Sequence, residues 1–177
     1  FMSVSWARRC VYETDWTLGA DDARPIFQAA IEHGVNYFDC ADIYGIGASE
    51  IVVGKLLKEL LPRDEYTLTT KVSMPMGRAP NQGGLSRKHI MEGIDQSLKR
   101  LGHDYVDQLI IHRHPHGIPG LAQTPIEETM EALNDVVKAG KALYLGASSM
   151  FAWQFAELQM TAAQNGWTKF ISMQNHL

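Results

Sequence analysis

The sequence predicts an α/β protein built on a parallel sheet with helical crossovers, and three observations carry that expectation. Helical and strand-like periods alternate from about residue 20 onward. No two strand-like runs are joined by a tight hairpin signal. A polar residue stands near the C-terminal end of every strand-like run: Asp39, Lys71, His112, Ser148 and Gln174. Five strands are expected, with a remnant of another at Phe1–Val4. An open doubly wound sheet and a (β/α)8 barrel both satisfy this pattern. The first βα turn lacks the GxGxxG phosphate fingerprint, which weighs against a Rossmann dinucleotide domain.

Residues 5–19 show no sustained period and read as loop. Asp21 is the expected N-cap of a first helix, with Pro25 in its first turn, an apolar stripe of Ile26, Phe27, Ala30 and Ile31, and Gly34 as its stop. The stretch GVNYFDCADIYGIGASE, residues 34–50, reads as a strand, a loop and a helix start. Alternation puts Val35, Tyr37, Asp39 and Ala41 on one side of it and Asn36, Phe38 and Cys40 on the other. Ser49 is the expected cap of the second helix, whose buried face is Val52, Val53, Leu56, Leu57 and Leu60 and whose stop is Pro62. YTLTTKV, residues 66–72, is β-rich, and the Gly/Pro-rich segment 74–85 reads as a mobile loop. Ser86 starts a third helix with Ile90, Ile94, Leu98 and Leu101 inward and Gly102 as its stop. VDQLIIH, residues 106–112, is the next strand, followed by a long loop. Thr124-Pro125-Ile126-Glu127 has the form of a capping box with Pro at the first helical position. A strand at 142–148, a helix at 151–165 and a strand at 170–175 complete the chain.

The 177 residues suit one domain, spanning 1–177, with volume for a real core. The composition is that of an ordinary globular protein, and a net charge of −4 with a pI near 6.0 argues against general nucleic-acid or anionic-membrane binding. No apolar run is long enough to span a bilayer, and the start FMSVSWARRC lacks the order of a signal peptide. Cys10 and Cys40 do not make a disulfide framework; Cys40 reads as a buried free thiol, in keeping with a cytoplasmic protein.

The strand-end residues share a parity. Lys71 shares a face with Thr69 and Thr67, His112 with Ile110 and Gln108, Ser148 with Gly146 and Tyr144, and Gln174 with Ser172 and Phe170. Each has a plain structural reading alone: a solvated lysine, a hydrogen-bonded histidine, a loop-capping aspartate, a packing tyrosine. In a barrel they converge on one mouth, where barrel enzymes hold their active sites. The chemistry follows from the residue types. An ammonium near a phenol favours the phenolate, so Lys71 is expected to lower the pKa of Tyr44 from its usual value of about 10. Asp39 is the counter-ion that a buried Lys71 needs. His112 offers a hydrogen bond to a substrate oxygen, and the set makes Tyr44 a tuned general acid facing a polarised carbonyl. Ser148 and Gln174 are neutral donors and acceptors suited to an amide.

FDCADIYGIGASEIVVGKLL, LTTKV, SLKRLGHDYVDQLIIHR, TPIEETMEALNDVVKAGKALYLGASS and SMQNHL, in this order and spacing, resemble the successive signatures of the aldo-keto reductase superfamily, above all its aryl-alcohol-dehydrogenase-like group. The resemblance covers about residues 20–177. It implies a TIM-type (β/α)8 barrel, incomplete here at about five to six βα units, that binds NADPH without a Rossmann domain. It implies Tyr44 as general acid, Lys71 as the group that tunes it, Asp39 as partner of Lys71 and His112 as the residue orienting a small-molecule carbonyl substrate. It places the nicotinamide-amide contacts on Ser148, Ser149 and Gln174, with Ser149 standing where the family commonly has Asn. The last two βα units, which in the family carry the adenosine 2′-phosphate site, are expected to be missing, as is most of the first strand. An incompletely closed sheet is expected to leave open edges, which would favour a homo-oligomer. The loop after His112 is longer than is usual in the family and adds His114 and His116; Pro115 interrupts the run and no Cys or carboxylate accompanies it, so no metal site is expected. The functional expectation is NADPH-dependent reduction of aldehydes or ketones. The alternatives are a non-catalytic nucleotide-binding barrel subunit and an inactive truncated fragment.

Overall fold

The computed structural model describes residues 18–116 and 123–175. The remnant strand expected at Phe1–Val4, and Cys10, lie outside the described residues. The elements in order are helix α1 (Ala20–Glu32), strand β1 (Tyr37–Asp39), α2 (Ala48–Leu60), a 3₁₀ turn (Arg63–Glu65), β2 (Thr67–Val72), α3 (Arg87–Leu101), β3 (Val106–Ile111), α4 (Ile126–Lys138), β4 (Ala142–Ser148), α5 (Ala152–Asn165) and β5 (Phe170–Gln174). All strand pairs are parallel and the order is β1-β2-β3-β4-β5. Five strands laid flat would put the outer two about 19 Å apart at the usual inter-strand spacing. Here the Gln174 amide at the end of β5 reaches the Asp39 carboxylate at the end of β1, Nε2 to Oδ1, at 3.3 Å. The sheet is therefore strongly curled, as part of a (β/α)8 barrel requires.

Alternation explains the two faces. Leu68, Leu109, Ile111, Leu145 and Ala147 are buried under the helices, where they meet Leu57, Ile90, Ile94, Met130 and Leu133. Phe38 turns the same way and stacks on Phe27 of α1 at 5.6 Å. The opposite parity faces the barrel interior. There Tyr37 donates to the Gln108 Oε1 at 2.9 Å, and Gln108 Nε2 donates to the Ser172 hydroxyl at 2.7 Å. Gly146 belongs to this layer because a Cβ there would stand 2.9 Å from each of Gln108, Ile110 and Ser172.

The strand-end parity of Lys71, His112 and Ser148 is the one expected, whereas β5 departs from it. Leu145 pairs with Phe170 but Gly146 pairs with Ser172, so Ile171 is the extra residue of a β-bulge. Phe170 consequently does not share the face of Ser172 and Gln174; it turns under the helices and stacks on Phe155 of α5 at 6.0 Å. The bulge keeps Ser172 and Gln174 in line with Gly146 and Ser148.

Three of the expected helix caps are replaced. Helix α1 starts at Ala20 after Gly19, with no side-chain cap, and Asp21 sits in the first turn, where the helix dipole favours it. Pro25 therefore lies in the second turn, and the helix continues through it. Helix α2 is preceded by Gly47 at φ +90°, not capped by Ser49, and a Cβ on Gly47 would come within 2.5 Å of the Arg100 Cδ. At α4 the capping box does not form: Pro125 precedes the first helical residue, Thr124 is buried, and it is Glu128 that accepts a bond, from the Arg87 amide. Ser86 caps α3 as expected, its hydroxyl accepting from the His89 amide at 3.3 Å. The 74–85 segment, for which composition predicts mobility, is closed by backbone bonds from Met76 to Gln82, Gln82 to Ala79 and Gly84 to Ser73.

Candidate active site

The strand ends bring the predicted residues together because the ladder runs past the regular strands. Cys40 N–H donates to the Thr69 carbonyl and Asp42 N–H to the Lys71 carbonyl, at 3.1 and 3.2 Å. His112 N–H donates to the Val72 carbonyl at 2.9 Å, and Ser149 N–H to the Gln174 carbonyl at 3.0 Å. Each side chain is thus set by main chain that is still paired with its neighbour.

Lys71 is 2% exposed and its ammonium has two acceptors. It donates to Asp39 Oδ2 at 2.5 Å and to the Cys40 carbonyl at 2.9 Å. Asp39 also accepts from the Thr69 hydroxyl at 2.7 Å and from Gln174. Tyr44 is buried, with the Lys71 ammonium 5.2 Å from its ring centroid and the His112 ring edge-on at 5.7 Å. Asp39, Tyr44, Lys71 and His112 therefore form one cluster. Ser148, Ser149 and Gln174 lie beside it, the two serine hydroxyls 3.1 Å apart.

The electrostatics correct one expectation. Burial holds the Tyr44 phenol above its ordinary pKa; Lys71 pulls it down, as expected, but does not outweigh burial, and Asp39 adds to the upward push. The phenol is consequently a protonated group at neutral pH. The His112 imidazole is pushed down to about 4, first by burial and then by the Lys71 and Arg113 charges, with Asp39 opposing. It is neutral near pH 7, and its Nδ1 is buried without a hydrogen-bond partner among the described residues.

The sequence reading missed Thr69 as a partner of Asp39, although its parity with Lys71 was the available signal. It also missed a polar cluster behind the site: the Thr70 hydroxyl and the Arg100 Nε both donate to the wholly buried Glu50, each at 2.5 Å. Only the fold brings Arg100, at the end of α3, to the start of α2. His114 and His116, singled out by the HRHPH run, lie ring to ring at 5.2 Å, with Trp153 6.4 Å from His114.

The aldo/keto reductase family model matches residues 11–177. The chain belongs to the aldo/keto reductase family. Versiconal hemiacetal acetate reductase of Aspergillus parasiticus is 44% identical over 179 residues, which covers 91% of this chain and 50% of that protein. An aldo-keto reductase of Fusarium vanettenii is 43% identical, covering 91% of this chain and 48% of its own. A Schizosaccharomyces pombe protein assigned by its name to the aryl-alcohol dehydrogenases is 41% identical, covering 93% of this chain and 56% of its own. Similarity to further proteins named in that way places this aldo/keto reductase in the aryl-alcohol-dehydrogenase-like group. The chain spans about half the length of the curated relatives it matches. No helix among the described residues is long and apolar enough to cross a membrane.

Proposed function

We propose that the chain carries the proton-donating centre of an NADPH-dependent carbonyl reductase, acting on a small aldehyde or ketone. The observation that carries this reading is a buried phenol, still protonated at neutral pH, beside an ammonium that is itself neutralised by a carboxylate. A general acid must hold its proton until the substrate oxygen becomes basic, and must then release it cheaply. Burial does the first for Tyr44. The positive charge of Lys71 does the second, because it stabilises the phenolate as it forms. Asp39 supplies the counter-charge that a buried ammonium needs. Neutral His112 has ring-nitrogen hydrogen-bonding capacity to offer to the carbonyl oxygen, which orients the carbonyl towards Tyr44.

The neutral donors and acceptors of Ser148, Ser149 and Gln174 suit the carboxamide of a nicotinamide, and they stand next to the cluster. These residues would hold the nicotinamide end of NADPH. When bound, NADPH supplies the hydride that adds to the carbonyl carbon. The Tyr44 proton goes to the oxygen, and the product is an alcohol. The names of the relatives, as reductases and dehydrogenases, support the reaction class.

The test is the loss of NADPH absorbance with an aromatic aldehyde. The expected result is turnover in the wild-type chain and a fall of about 10²–10⁴-fold in kcat for Tyr44→Phe. An unchanged rate in Tyr44→Phe would overturn the assignment. NADPH binding without oxidation across a carbonyl panel would instead identify a non-catalytic nucleotide-binding barrel.

A further inference from the structure

Asp42 is a buried carboxylate that the proposed chemistry does not use. It is 1% exposed, and it lies in the turn between Asp39 and Tyr44. Its Oδ1 accepts the Ile43 amide at 2.7 Å, while its Oδ2 is buried with no partner among the described residues. The charged groups that act on it come from three packed elements: Glu50 of α2, Arg100 of α3 and Lys71 of β2. Both cations are already taken. Arg100 is bonded to Glu50, and Lys71 to Asp39 and the Cys40 carbonyl. An ionised Asp42 would therefore have no free counter-charge, and Glu50 would repel it. Burial, with Glu50 adding to it, holds the carboxyl up to about 8 against the Ile43 amide bond, which favours the ionised form, and the weaker pull of Arg100 and Lys71.

The same turn fixes Tyr44. Asp42 N–H donates to the Lys71 carbonyl, Tyr44 N–H to the Ala41 carbonyl and Ser49 N–H to the Tyr44 carbonyl, each at 3.2 Å. The Asp42 side chain thus belongs to the same short turn whose main-chain bonds set Tyr44. We infer that Asp42 is a positioning residue for Tyr44: held as a neutral carboxylic acid, it keeps the Ala41–Tyr44 turn closed against β2, and its ionisation opens that turn. Its catalytic consequence rests on the reading of Tyr44 as proton donor, whereas the proton-linked turn does not.

The experiment is an NMR titration of the whole chain, labelled with ¹³C at aspartate and with ¹⁵N throughout, from about pH 5 to about pH 10. The Asp42 Cγ signal should move with a midpoint of about 8, and the Ile43 and Tyr44 amides should move with it. Asp42→Asn keeps an acceptor for the Ile43 amide but never ionises, so it should abolish the amide transitions. The inference fails if Asp42 titrates at an ordinary carboxylate value, if the Tyr44 amide does not follow it, or if the Tyr44 transition persists in Asp42→Asn. If the variant does not fold, the wild-type titration alone decides. In turnover, kcat should fall up to tenfold per pH unit above about 8 with KM unchanged, and Asp42→Asn should move that limb upward. A limb that stays in place overturns the positioning role. Absence of wild-type turnover would sink the proposed reaction only, since the titration still decides the turn.

Discussion

Replacing Asp39 with Asn removes the charge that balances Lys71 while keeping nearly the same shape. Lys71 is 2% exposed and would be left with the Cys40 carbonyl as its remaining firm acceptor. Breaking one partner of a buried ion pair costs about 3–5 kcal/mol, because the other charge stays buried and uncompensated. Asp39 is 12% exposed, so water reaches the pair's edge and the lower end applies. The expected loss is about 3 kcal/mol at pH 7. Lys71→Met in the Asp39→Asn background removes the stranded charge and should recover about 2 kcal/mol. Urea unfolding of the wild type, both single variants and the double variant measures all of this. An Asp39→Asn variant within about 0.5 kcal/mol of wild type, or a double variant no more stable than Asp39→Asn, would refute the claim that Asp39 neutralises Lys71.

Three further outcomes follow from the same structure. His112 is depressed from 6.5 to about 4 in the folded chain, so between those values the unfolded state binds the extra proton and stability falls as pH falls through that window. The loss is about 3 kcal/mol at most, and His112→Gln should flatten that part of a stability-versus-pH curve measured by denaturant. His114, also depressed to about 4, should keep a residual slope in that variant. Gly54→Ala should destabilise by about 3 kcal/mol in urea unfolding, because its Cβ would stand 2.1 Å from the Leu101 carbonyl oxygen, which is backbone and cannot swing away. Gly47→Ala must adopt φ +90° and would press on the Arg100 side chain, whose Nε is held by Glu50, so a loss of about 1–2 kcal/mol or more is expected there.

The order of strands and helices was legible because each helix has one apolar stripe and each strand one parity. Lys71, His112 and Ser148 could be placed on one mouth by counting alternate residues. Counting failed at Ile171, where an extra residue resets the parity and no local signal marks the bulge. Caps were read from side chains that can accept a bond. At Gly47 the decisive fact is the Arg100 side chain pressed against it from α3, which local sequence does not contain. The site shows the same division. Which groups meet was readable; the direction of the Tyr44 shift was not, because it turns on burial, and burial is a property of the whole fold.

The bond from Gln174 to Asp39 joins residues 135 apart in sequence and lies across the two outer strands of the described sheet. Asp39 and Lys71, by contrast, are 32 apart and sit on adjacent strands. Contacts that close long stretches of chain carry the larger entropic cost and tend to form after local ones. The carboxylate is therefore expected to receive its lysine early in folding and its glutamine only once β5 has docked. Its Oδ1, held by Thr69 from the neighbouring strand, is therefore expected to gain the Gln174 amide last, so that the outer edges of the sheet meet on one atom.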